Sequence, residues 1–328
     1  MLKIGVVGVG HLGKFHVKNL QQLDSVEFVG FFDIDKERAK QISEDYKAKS
    51  FESLDLLLEE CDGVSIVVPT YAHFEIAKKA LEKGVHIFCE KPFMDKLSEA
   101  DEIIAFAKSK NLILQVGHIE RFNPALESIK DIAINPLFIE SHRISKFNPR
   151  GIDVAVVLDL MIHDIDIVLS LVKSPIEKID ATGAVVLTDT VDIANARLTF
   201  QNGCVANLTA SRVSNKMMRK LRIFQRNSYI SVDFIKNKSE IYSLSYDDNS
   251  SVPSGVPIAE LKSEDGQKRI IQYSQYSKKK TNAMLEELRA FANSIINGEP
   301  LAVTGEEGKK ALEIALHIED HIKTKNQE

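Results

Sequence analysis

The 328-residue chain has no tryptophan, only three cysteines and nine prolines, and little net charge. The cysteines (Cys61, Cys89 and Cys204) are odd in number and far apart, so the sequence predicts reduced thiols with neither a disulfide framework nor a metal site. A formal net charge of −5 gives no reason to expect a nucleic acid partner. These shortages exclude small disulfide-stabilised proteins and basic nucleic-acid-binding proteins.

Long apolar runs are also missing. No run reaches the roughly 18 residues that a membrane helix requires. The apolar opening MLKIGVVGVGHLG is interrupted by glycines and is followed by no small-residue cleavage site, so it predicts a strand and not a signal peptide. We therefore expect a cytoplasmic protein that binds no membrane.

The length and the changing pattern along the chain predict two domains. Over residues 1–120, short apolar runs alternate with charged segments of helical periodicity, which is typical of a Rossmann dinucleotide-binding domain with a parallel sheet. Beyond residue 120, strands of mixed polarity follow one another, and Asn202–Gly203 is a strong hairpin signal. Residues 121–328 are thus predicted to form an α+β domain on a large, mainly antiparallel open sheet, which binds substrate and supports a homodimer or homotetramer. The C-terminal helix is expected to pack back on the first domain.

The segment GVGHLG ends the first predicted strand and opens a helix, with Gly8, Gly10 and Gly13 in G-x-G-x-x-G spacing. Such glycines permit a tight turn, the approach of a pyrophosphate and close packing of the helix on the strand. The helix N-terminus then attracts the phosphates. We predict that this segment, with His11 and Leu12, binds a dinucleotide; the alternative is a structural glycine-rich turn.

Asp33 ends the second predicted strand, about 20 residues beyond Gly13. A carboxylate there accepts hydrogen bonds from the adenosine ribose and repels a 2′-phosphate, so NAD is favoured over NADP. Lys36 and Arg38 lie close enough in sequence to leave NADP open. The alternative for Asp33 is a helix cap.

Two further strand ends are candidate ligand-binding segments, because open α/β sheets bind ligands at the carboxyl ends of their strands. VVPTYAH contributes Pro69, Thr70 and His73 to the predicted cofactor site, although His73 could instead be a structural histidine in the first turn of a helix. CEKP contributes Glu90 and Lys91. A lysine here could favour the alkoxide that develops during hydride removal, whereas the alternative is a surface ion pair.

The segment LDLMIHDIDI, Leu158 to Ile167, carries charged groups among aliphatic residues. Asp159 and His163 share one face of a helix, and a carboxylate at that spacing can raise the basicity of the imidazole. Asp166 is also predicted to neighbour His163, whereas Asp164 falls off this face and is assigned to structure. The alternative is a solvated helix edge, but a dinucleotide fold and a strand-end lysine complete a set suited to oxidising an alcohol.

In their order, GVGHLG, Asp33, VVPTYAH, CEKP, GHIERFNP and D-x-x-x-H-x-x-D resemble the glucose–fructose oxidoreductase / inositol dehydrogenase family over nearly the whole chain. The resemblance implies that Lys91 and His163 are the catalytic pair, with Asp159 supporting them and contributing to substrate binding. It also implies a cis bond between Lys91 and Pro92, NAD as cofactor, and no metal.

Three segments (GHIERFNPA, IESHRISKFNPRG and VVLDLMIHDIDI) are similar to the bacterial branch of that family that oxidises nucleotide-linked sugars. This resemblance implies oxidation at C3 of UDP-N-acetylglucosamine to a 3-keto sugar, which an aminotransferase then takes toward lipid A or surface polysaccharide. A sugar nucleotide needs donors for its pyrophosphate. Arg121 and Asn123 are the preferred substrate-binding residues, and Arg143, Arg150 and Arg212 are further candidates.

Alternative functions on the same scaffold are a dehydrogenase of free sugars or inositol-type polyols, a biliverdin-reductase-like enzyme, and an NAD-binding regulatory protein without turnover. Reduction of a tetrapyrrole does not need the Asp159–His163 pair, and the intact Lys91 and His163 argue against a regulatory protein. The sequence therefore predicts an NAD-dependent dehydrogenase that acts on CH–OH groups.

Overall fold

The chain forms two compact units. The computed structural model describes residues 1–149, 154–246, 255–262, 268–278 and 281–325. The first unit comprises Met1–Phe122 and Asn282–Glu313, and the second comprises Asn123–Thr281 and Ile314–Glu328. The sequence predicted a boundary after residue 120 and a C-terminal helix that packs back on the first domain. The division assigns residues 282–313 to the first unit, because the apolar side chains of Met284, Leu288 and Phe291 join its core.

Helices occur in both units. In chain order they are α1 (Gly13–Leu20), α2 (Lys36–Tyr46), α3 (Leu54–Glu59), α4 (His73–Glu82), α5 (Leu97–Ser109), α6 (Pro124–Glu127), α7 (Ile162–Leu171), α8 (Ala283–Asn297) and α9 (Gly305–Lys325). Short 3₁₀ turns cover Thr70–Ala72 and Ile119–Phe122, and a π-helical turn covers Val157–Met161. Side chains cap several of these helices, as Asp35 does for α2 and Asn282 for α8.

The sheet of the first unit is parallel and buried. Its strands are β1 (Leu2–Val7), β2 (Val26–Phe32), β3 (Gly63–Ile66), β4 (His86–Glu90) and β5 (Leu114–Gly117). They lie in the order β2-β1-β3-β4-β5 and every neighbouring pair is parallel. The predicted Rossmann fold is confirmed. The strand order reverses at β1, so the segments that follow β1 and β3 flank the point where such sheets bind ligands.

The sheet of the second unit is large and mainly antiparallel, as predicted. Its strands are β6 (Phe138–Lys146), β7 (Ile176–Ala184), β8 (Ile193–Phe200), β9 (Val205–Ser214), β10 (Met218–Gln225), β11 (Ser228–Asp233), β12 (Lys238–Tyr246), β13 (Val256–Lys262) and β14 (Lys268–Tyr276). The order is β13-β14-β12-β11-β10-β6-β9-β8-β7, and β6 and β9 run parallel. Gly203, with a φ of 84°, turns the predicted hairpin between β8 and β9.

A buried ion pair fastens α7 to the sheet of the second unit. The Nε and Nη2 atoms of Arg143 on β6 donate to the two carboxylate oxygens of Asp164 on α7 at 2.8 and 3.1 Å. Both side chains are almost fully buried. The pair accounts for Asp164, which the sequence assigned to structure. It also commits Arg143, a candidate for a pyrophosphate, to a structural contact.

Within the described residues, no helix combines the length and the apolar character needed to cross a bilayer. The same residues contain no group of three His, Cys, Asp or Glu side chains placed to hold a metal ion. The three cysteines are free thiols, and burial raises the pKa of the Cys61 thiol to about 12.

His86 joins the start of β4 to the segment before β5. Its Nδ1 accepts the backbone N–H of Ile113 at 2.8 Å. Burial lowers the pKa of His86, against a smaller opposing effect of the Asp62 carboxylate. Because a nitrogen that accepts a hydrogen bond carries no proton, the fold favours the neutral imidazole.

We expect protonation of His86 to destabilise the protein in mildly acidic solution. Its contribution to stability is complete above the unfolded pKa of about 6.5 and is lost as the pH falls through that value toward the lower folded pKa. In His86→Asn, the side-chain oxygen can accept the same N–H without titrating. Chemical denaturation at several pH values should show that the variant loses less unfolding free energy than the wild type between about pH 7.5 and 5.5. Equal losses would contradict this role of His86.

Candidate functional site

The glycine-rich segment after β1 is shaped for close approach. Gly8 has a φ of 87°, and a Cβ there would lie 2.4 Å from the carbonyl oxygen of Val67. A Cβ at Gly13 would lie 2.0 Å from the carbonyl oxygen of Gly8, so only glycine lets α1 pack this closely on the turn. By contrast, a Cβ at Gly10 would have no heavy atom of the described residues within 4 Å. The three glycines thus combine a tight turn, a tight packing contact and an open approach.

A cavity of about 1000 Å³ lies at the ends of β1, β2 and β3. Its lining includes five of the residues predicted to bind cofactor, namely Gly8, Gly10, His11, Asp33 and Pro69. The other predicted residues lie outside this lining, namely Leu12, Gly13, Thr70, His73, Glu90 and Lys91. The cavity therefore groups the glycine segment with Asp33, and its lining does not include the Lys91 turn.

Asp33 connects the glycine segment to the end of β2. Its Oδ2 accepts the backbone N–H of Val9 at 2.8 Å, and its Oδ1 accepts that of Asp35 at 2.8 Å. The alternative role of helix cap is wrong, because the side chain of Asp35 accepts the N–H of Arg38 and caps α2. The guanidinium of Arg38 also donates to both oxygens of the Asp33 carboxylate, at 3.4 and 3.5 Å.

Basic and aromatic side chains complete the lining. Lys14 and Arg38 supply positive charge, and Tyr46 and Tyr71 supply ring surface. Sequence reasoning noted Arg38 only as a complication for cofactor choice and gave no signal for the other three, because an exposed side chain has no periodicity that marks it as a ligand. The first turn of α1 holds no acidic residue and no side chain caps it. Together these features fit an anionic dinucleotide.

The turn after β4 presents Lys91. The Lys91–Pro92 bond is cis, as the family resemblance implied. Glu90 is 7% exposed, which excludes the alternative of a surface ion pair. Its Oε1 lies 3.1 Å from Nε2 of His16, and its Oε2 accepts the backbone N–H of Lys91 at 3.2 Å. The strand-end carboxylate therefore anchors the backbone beside the lysine.

His73 is a buried histidine at the first position of α4. Its Nε2 lies 2.9 Å from the carbonyl oxygen of Val68, and its Nδ1 lies 3.1 Å from those of Pro92 and Phe93. Burial lowers the pKa of His73, although the carbonyl contacts oppose the shift. With 1% exposure and no place in the cavity lining, this side chain fits the structural alternative better than the predicted cofactor contact.

The segment that carries Asp159 and His163 is helical but not uniformly α-helical. Residues Val157–Met161 form a π-helical turn, and α7 begins at Ile162. Such turns are rare and occur frequently at functional sites. Asp159 and His163 are partly exposed, whereas Asp166 is 1% exposed. The periodicity of the sequence predicted a helix but could not predict the π turn.

The candidates for substrate binding make structural contacts. The guanidinium of Arg121 donates to the carbonyl oxygen of Ala302 and to the Glu307 carboxylate at 3.4 and 3.1 Å. The amide of Asn123 donates to the carbonyl oxygen of Phe234, and its oxygen caps α6. Their role in substrate binding stays a prediction.

The two other arginine candidates are placed differently. Arg212 is 5% exposed, donates to the carbonyl oxygen of Val154, and has its Nε 3.7 Å from a carboxylate oxygen of Asp192. Four N–H and O–H donors from Val186, Leu187 and Thr188 surround that carboxylate. Arg212 is thus part of a buried network. Arg150 lies outside the described residues.

Comparison with known proteins agrees with this arrangement. Residues 2–118 match an oxidoreductase family with an NAD-binding Rossmann fold, and residues 140–229 match the GFO/IDH/MocA C-terminal domain. UDP-N-acetylglucosamine 3-dehydrogenase of Acidithiobacillus ferrooxidans is 37% identical over 318 residues, which are 97% of this chain and 96% of that protein. Myo-inositol 2-dehydrogenase of Thermotoga maritima is 25% identical over 330 residues, which are 95% and 93% of the two chains.

The solved structures extend this likeness to the fold. A structure of UDP-N-acetylglucosamine 3-dehydrogenase from Acidithiobacillus ferrooxidans superposes with a TM-score of 0.88 and 34% identity, and the match covers 98% of each chain. Both sequence matches and the superposition therefore extend over nearly the whole chain. The chain belongs to the GFO/IDH/MocA family of oxidoreductases, the family that its motifs resemble.

Proposed function

We propose that this chain is an NAD-dependent dehydrogenase that oxidises the C3 hydroxyl of UDP-N-acetylglucosamine to a 3-keto sugar. The observation that carries the proposal is the 37% identity, over nearly its full length, to an enzyme named for that reaction. The Lys91 turn and the cavity lined by Gly10 and Asp33 support it, because they supply a cation at a strand end and a fit for a dinucleotide.

Three groups of residues have separate roles in the proposed reaction. A bound NAD would supply the hydride acceptor for the carbon that is oxidised. His163 takes the hydroxyl proton as general base, and Asp159 fixes its imidazole. Lys91 offers an ammonium that stabilises the developing alkoxide. The Gly8–Gly13 segment and Asp33 bind the pyrophosphate and the adenosine ribose and thereby orient the cofactor.

A free-polyol dehydrogenase is the second candidate, favoured by the 25% identity to a myo-inositol 2-dehydrogenase. A panel of UDP-sugars, free sugars and inositols, followed by absorbance of the reduced nicotinamide, separates the two. An aminotransferase or a carbonyl trap should be present, because formation of the keto sugar can be uphill. Turnover with free polyols alone would replace the first proposal by the second.

Substitution of the two predicted catalytic residues tests the mechanism. Lys91→Met removes the cation, and His163→Ala removes the base, so each should lower kcat by about 100-fold or more. The affinity for NAD should stay within about threefold of the wild type, because neither side chain lines the cofactor cavity. Steady-state kinetics and calorimetric titration measure the two effects.

A matched control for these variants is Lys36→Met, which removes an exposed lysine at the first position of α2. This control should retain near wild-type kcat. If Lys91→Met or His163→Ala also retained it, the assigned roles would be wrong.

We propose that NAD is preferred over NADP because of Asp33. A 2′-phosphate placed near this buried carboxylate would meet like-charge repulsion, while Arg38, within 3.4 Å of Asp33, is already neutralised in part. In Asp33→Ser, the ratio of the dissociation constants for NADP and NAD should fall by about tenfold or more.

A carboxylate elsewhere in the lining provides the control for this prediction. Asp45 lines the same cavity and is exposed, so Asp45→Asn removes an equal charge from a different position. For Asp45→Asn, calorimetric titration should show a nearly unchanged ratio of the dissociation constants for NADP and NAD. An unchanged ratio in Asp33→Ser would refute the assigned basis of cofactor choice.

We further propose that the enzyme is a homo-oligomer that associates through one face of its large sheet. Five aromatic rings form a ladder across β6, β10, β11, β12 and β14, with centroids 4.9 to 5.8 Å apart. The members of this aromatic ladder are Phe138, Phe224, Tyr229, Tyr242 and Tyr273.

The charge and exposure of this face suit a second copy of the chain. Phe224 and Tyr242 are each 37% exposed, and exposed aromatic surface of this extent favours association. On the same face Arg222 pairs with Glu140 across neighbouring strands. This pair adds no net charge to the face, so it gives two copies no reason to repel each other.

A charge placed in the aromatic ladder should break the oligomer. In a symmetric interface both subunits would carry the negative charge of Tyr242→Asp, so the two charges would oppose association. The variant should therefore be monomeric where the wild type is a dimer or tetramer. Light scattering coupled to gel filtration measures the mass. Ile296→Asp, at an exposed apolar position of α8, is the control and should keep the wild-type mass. A monomeric wild type or an oligomeric Tyr242→Asp would overturn the proposal.

We place the reaction in the cytoplasm, upstream of an aminotransferase in the synthesis of lipid A or surface polysaccharide. Three free thiols suit a reducing compartment. A 3-keto sugar is a suitable substrate for transamination. The coupled assay described above tests this sequence of reactions directly, since added aminotransferase should increase the amount of sugar nucleotide converted.

A further inference from the structure

We propose that His16 and His73 are positioning residues that fix Lys91 from both sides. His16 acts through the residue before Lys91, and His73 acts through the two residues after it. The inference rests on the proposed function, in which Lys91 stabilises the developing alkoxide. Neither histidine was assigned to this role by sequence.

His16 is the centre of a buried hydrogen-bonded chain. The residue is 0% exposed, its Nδ1 lies 2.8 Å from the hydroxyl of Ser65 on β3, and its Nε2 lies 3.1 Å from Glu90 at the end of β4. A neutral imidazole protonated on Nε2 satisfies both contacts, because it donates to the carboxylate and accepts from the hydroxyl. The other oxygen of Glu90 then accepts the backbone N–H of Lys91.

Packing leaves Glu90 little freedom to move. A Cβ added at Gly117 on the neighbouring strand would lie 3.0 to 3.1 Å from the carboxylate carbon and Oε1 of Glu90. The ring of His16 also packs against Phe88, with centroids 5.6 Å apart. The carboxylate is therefore confined by His16, by the backbone of β5 and by the N–H of Lys91.

His73 holds the opposite side of the turn. Its two ring nitrogens lie between the carbonyl oxygen of Val68, which follows β3, and those of Pro92 and Phe93, which follow Lys91. Carbonyl oxygens only accept hydrogen bonds, so the ring donates toward at least one of the two segments. His73 thus lies between the segments after β3 and β4 and is hydrogen-bonded to at least one of them.

Both histidines connect the Lys91 turn to walls of the cofactor cavity. His16 lies on α1, directly after the Gly8–Gly13 segment, and His73 contacts Val68, which lines the cavity. A bound dinucleotide would contact these walls, and the buried rings would then restrict the movement of the Lys91 turn. With 0% and 1% exposure, neither ring can touch a substrate, so both act through other residues.

Removal of either ring should impair turnover more than cofactor binding. In His16→Leu and His73→Leu we expect kcat to fall by about 10- to 100-fold, because a small displacement of a catalytic group carries such a cost. The dissociation constant for NAD should stay within about threefold. His16→Gln, whose amide nitrogen can replace Nε2 as donor to Glu90, should recover most of the lost kcat.

A second readout follows Lys91 without using activity. Competitive acetylation of the NAD-bound protein, quantified by mass spectrometry, gives the reactivity of Lys91 relative to the other lysines. This ratio should change by about threefold or more in both leucine variants and return in His16→Gln. Gly117→Ala keeps both histidines but places a methyl group against Glu90, so it should also change the relative reactivity of Lys91. This variant provides the test if a leucine variant fails to fold.

The matched control is His86→Leu, which removes a partly buried histidine and its hydrogen bond to Ile113 at the opposite end of β4. This variant should lose thermal stability while keeping kcat and the reactivity of Lys91. The positioning role would be overturned if the His16 and His73 variants behaved in the same way. If wild-type protein turned over no sugar, the proposed function would fail, and the acetylation ratios would still decide whether the two histidines control Lys91.

Discussion

A buried carboxylate at the end of β4 is the group on which the arrangement of the first unit depends. Desolvation of Glu90 would be expensive without partners, and the cost is offset by His16 and by the N–H of Lys91. These partners belong to α1 and to the turn after β4, so satisfying one charge brings together two segments that are distant in sequence. This requirement fixes the backbone of Lys91, whose N–H is one of the two partners.

The reversal of strand order supplies the space beside this anchor. Because β2 and β3 lie on opposite sides of β1, the segments that leave β1 and β3 diverge and open a cavity. Gly8 and Gly13 allow α1 to start close to that opening, while Gly10 leaves room in it. Asp33 then closes the side of the cavity next to β2, because it accepts the backbone N–H groups of Val9 and Asp35. The backbone of one parallel sheet thus positions α1, the three glycines and the carboxylate of Asp33.

Sequence reasoning could predict the features that depend on local pattern. The alternation of apolar runs and helices predicted the Rossmann fold, and the Asn202–Gly203 pair predicted a hairpin. The motif spacing likewise placed Gly8 and Asp33 in one site. In each of these cases the physical cause lies within a few residues or at a fixed offset, so it leaves a readable pattern.

The features that sequence reasoning missed depend on contacts between distant residues. His16 and Glu90 are separated by 74 positions, and a histidine within an amphipathic helix gives no sign of its partner. His73 was predicted to meet cofactor because it follows a strand end, but its ring turns inward to three carbonyl oxygens.

In each unit, the predicted catalytic residue lies next to a buried carboxylate that has its own hydrogen-bonding partner. In the first, buried Glu90 directly precedes Lys91 and pairs with His16; in the second, buried Asp164 directly follows His163 and pairs with Arg143. Removing one partner of a buried ion pair such as Arg143–Asp164 typically costs about 3–5 kcal/mol, and removing a partner of Glu90 would leave a buried carboxylate without its hydrogen bond. Each carboxylate therefore fixes its own stretch of backbone. The side chain of the adjacent residue thereby gains a fixed point of attachment. Fixing the neighbour of a predicted catalytic residue therefore orients that residue through the backbone that the two share.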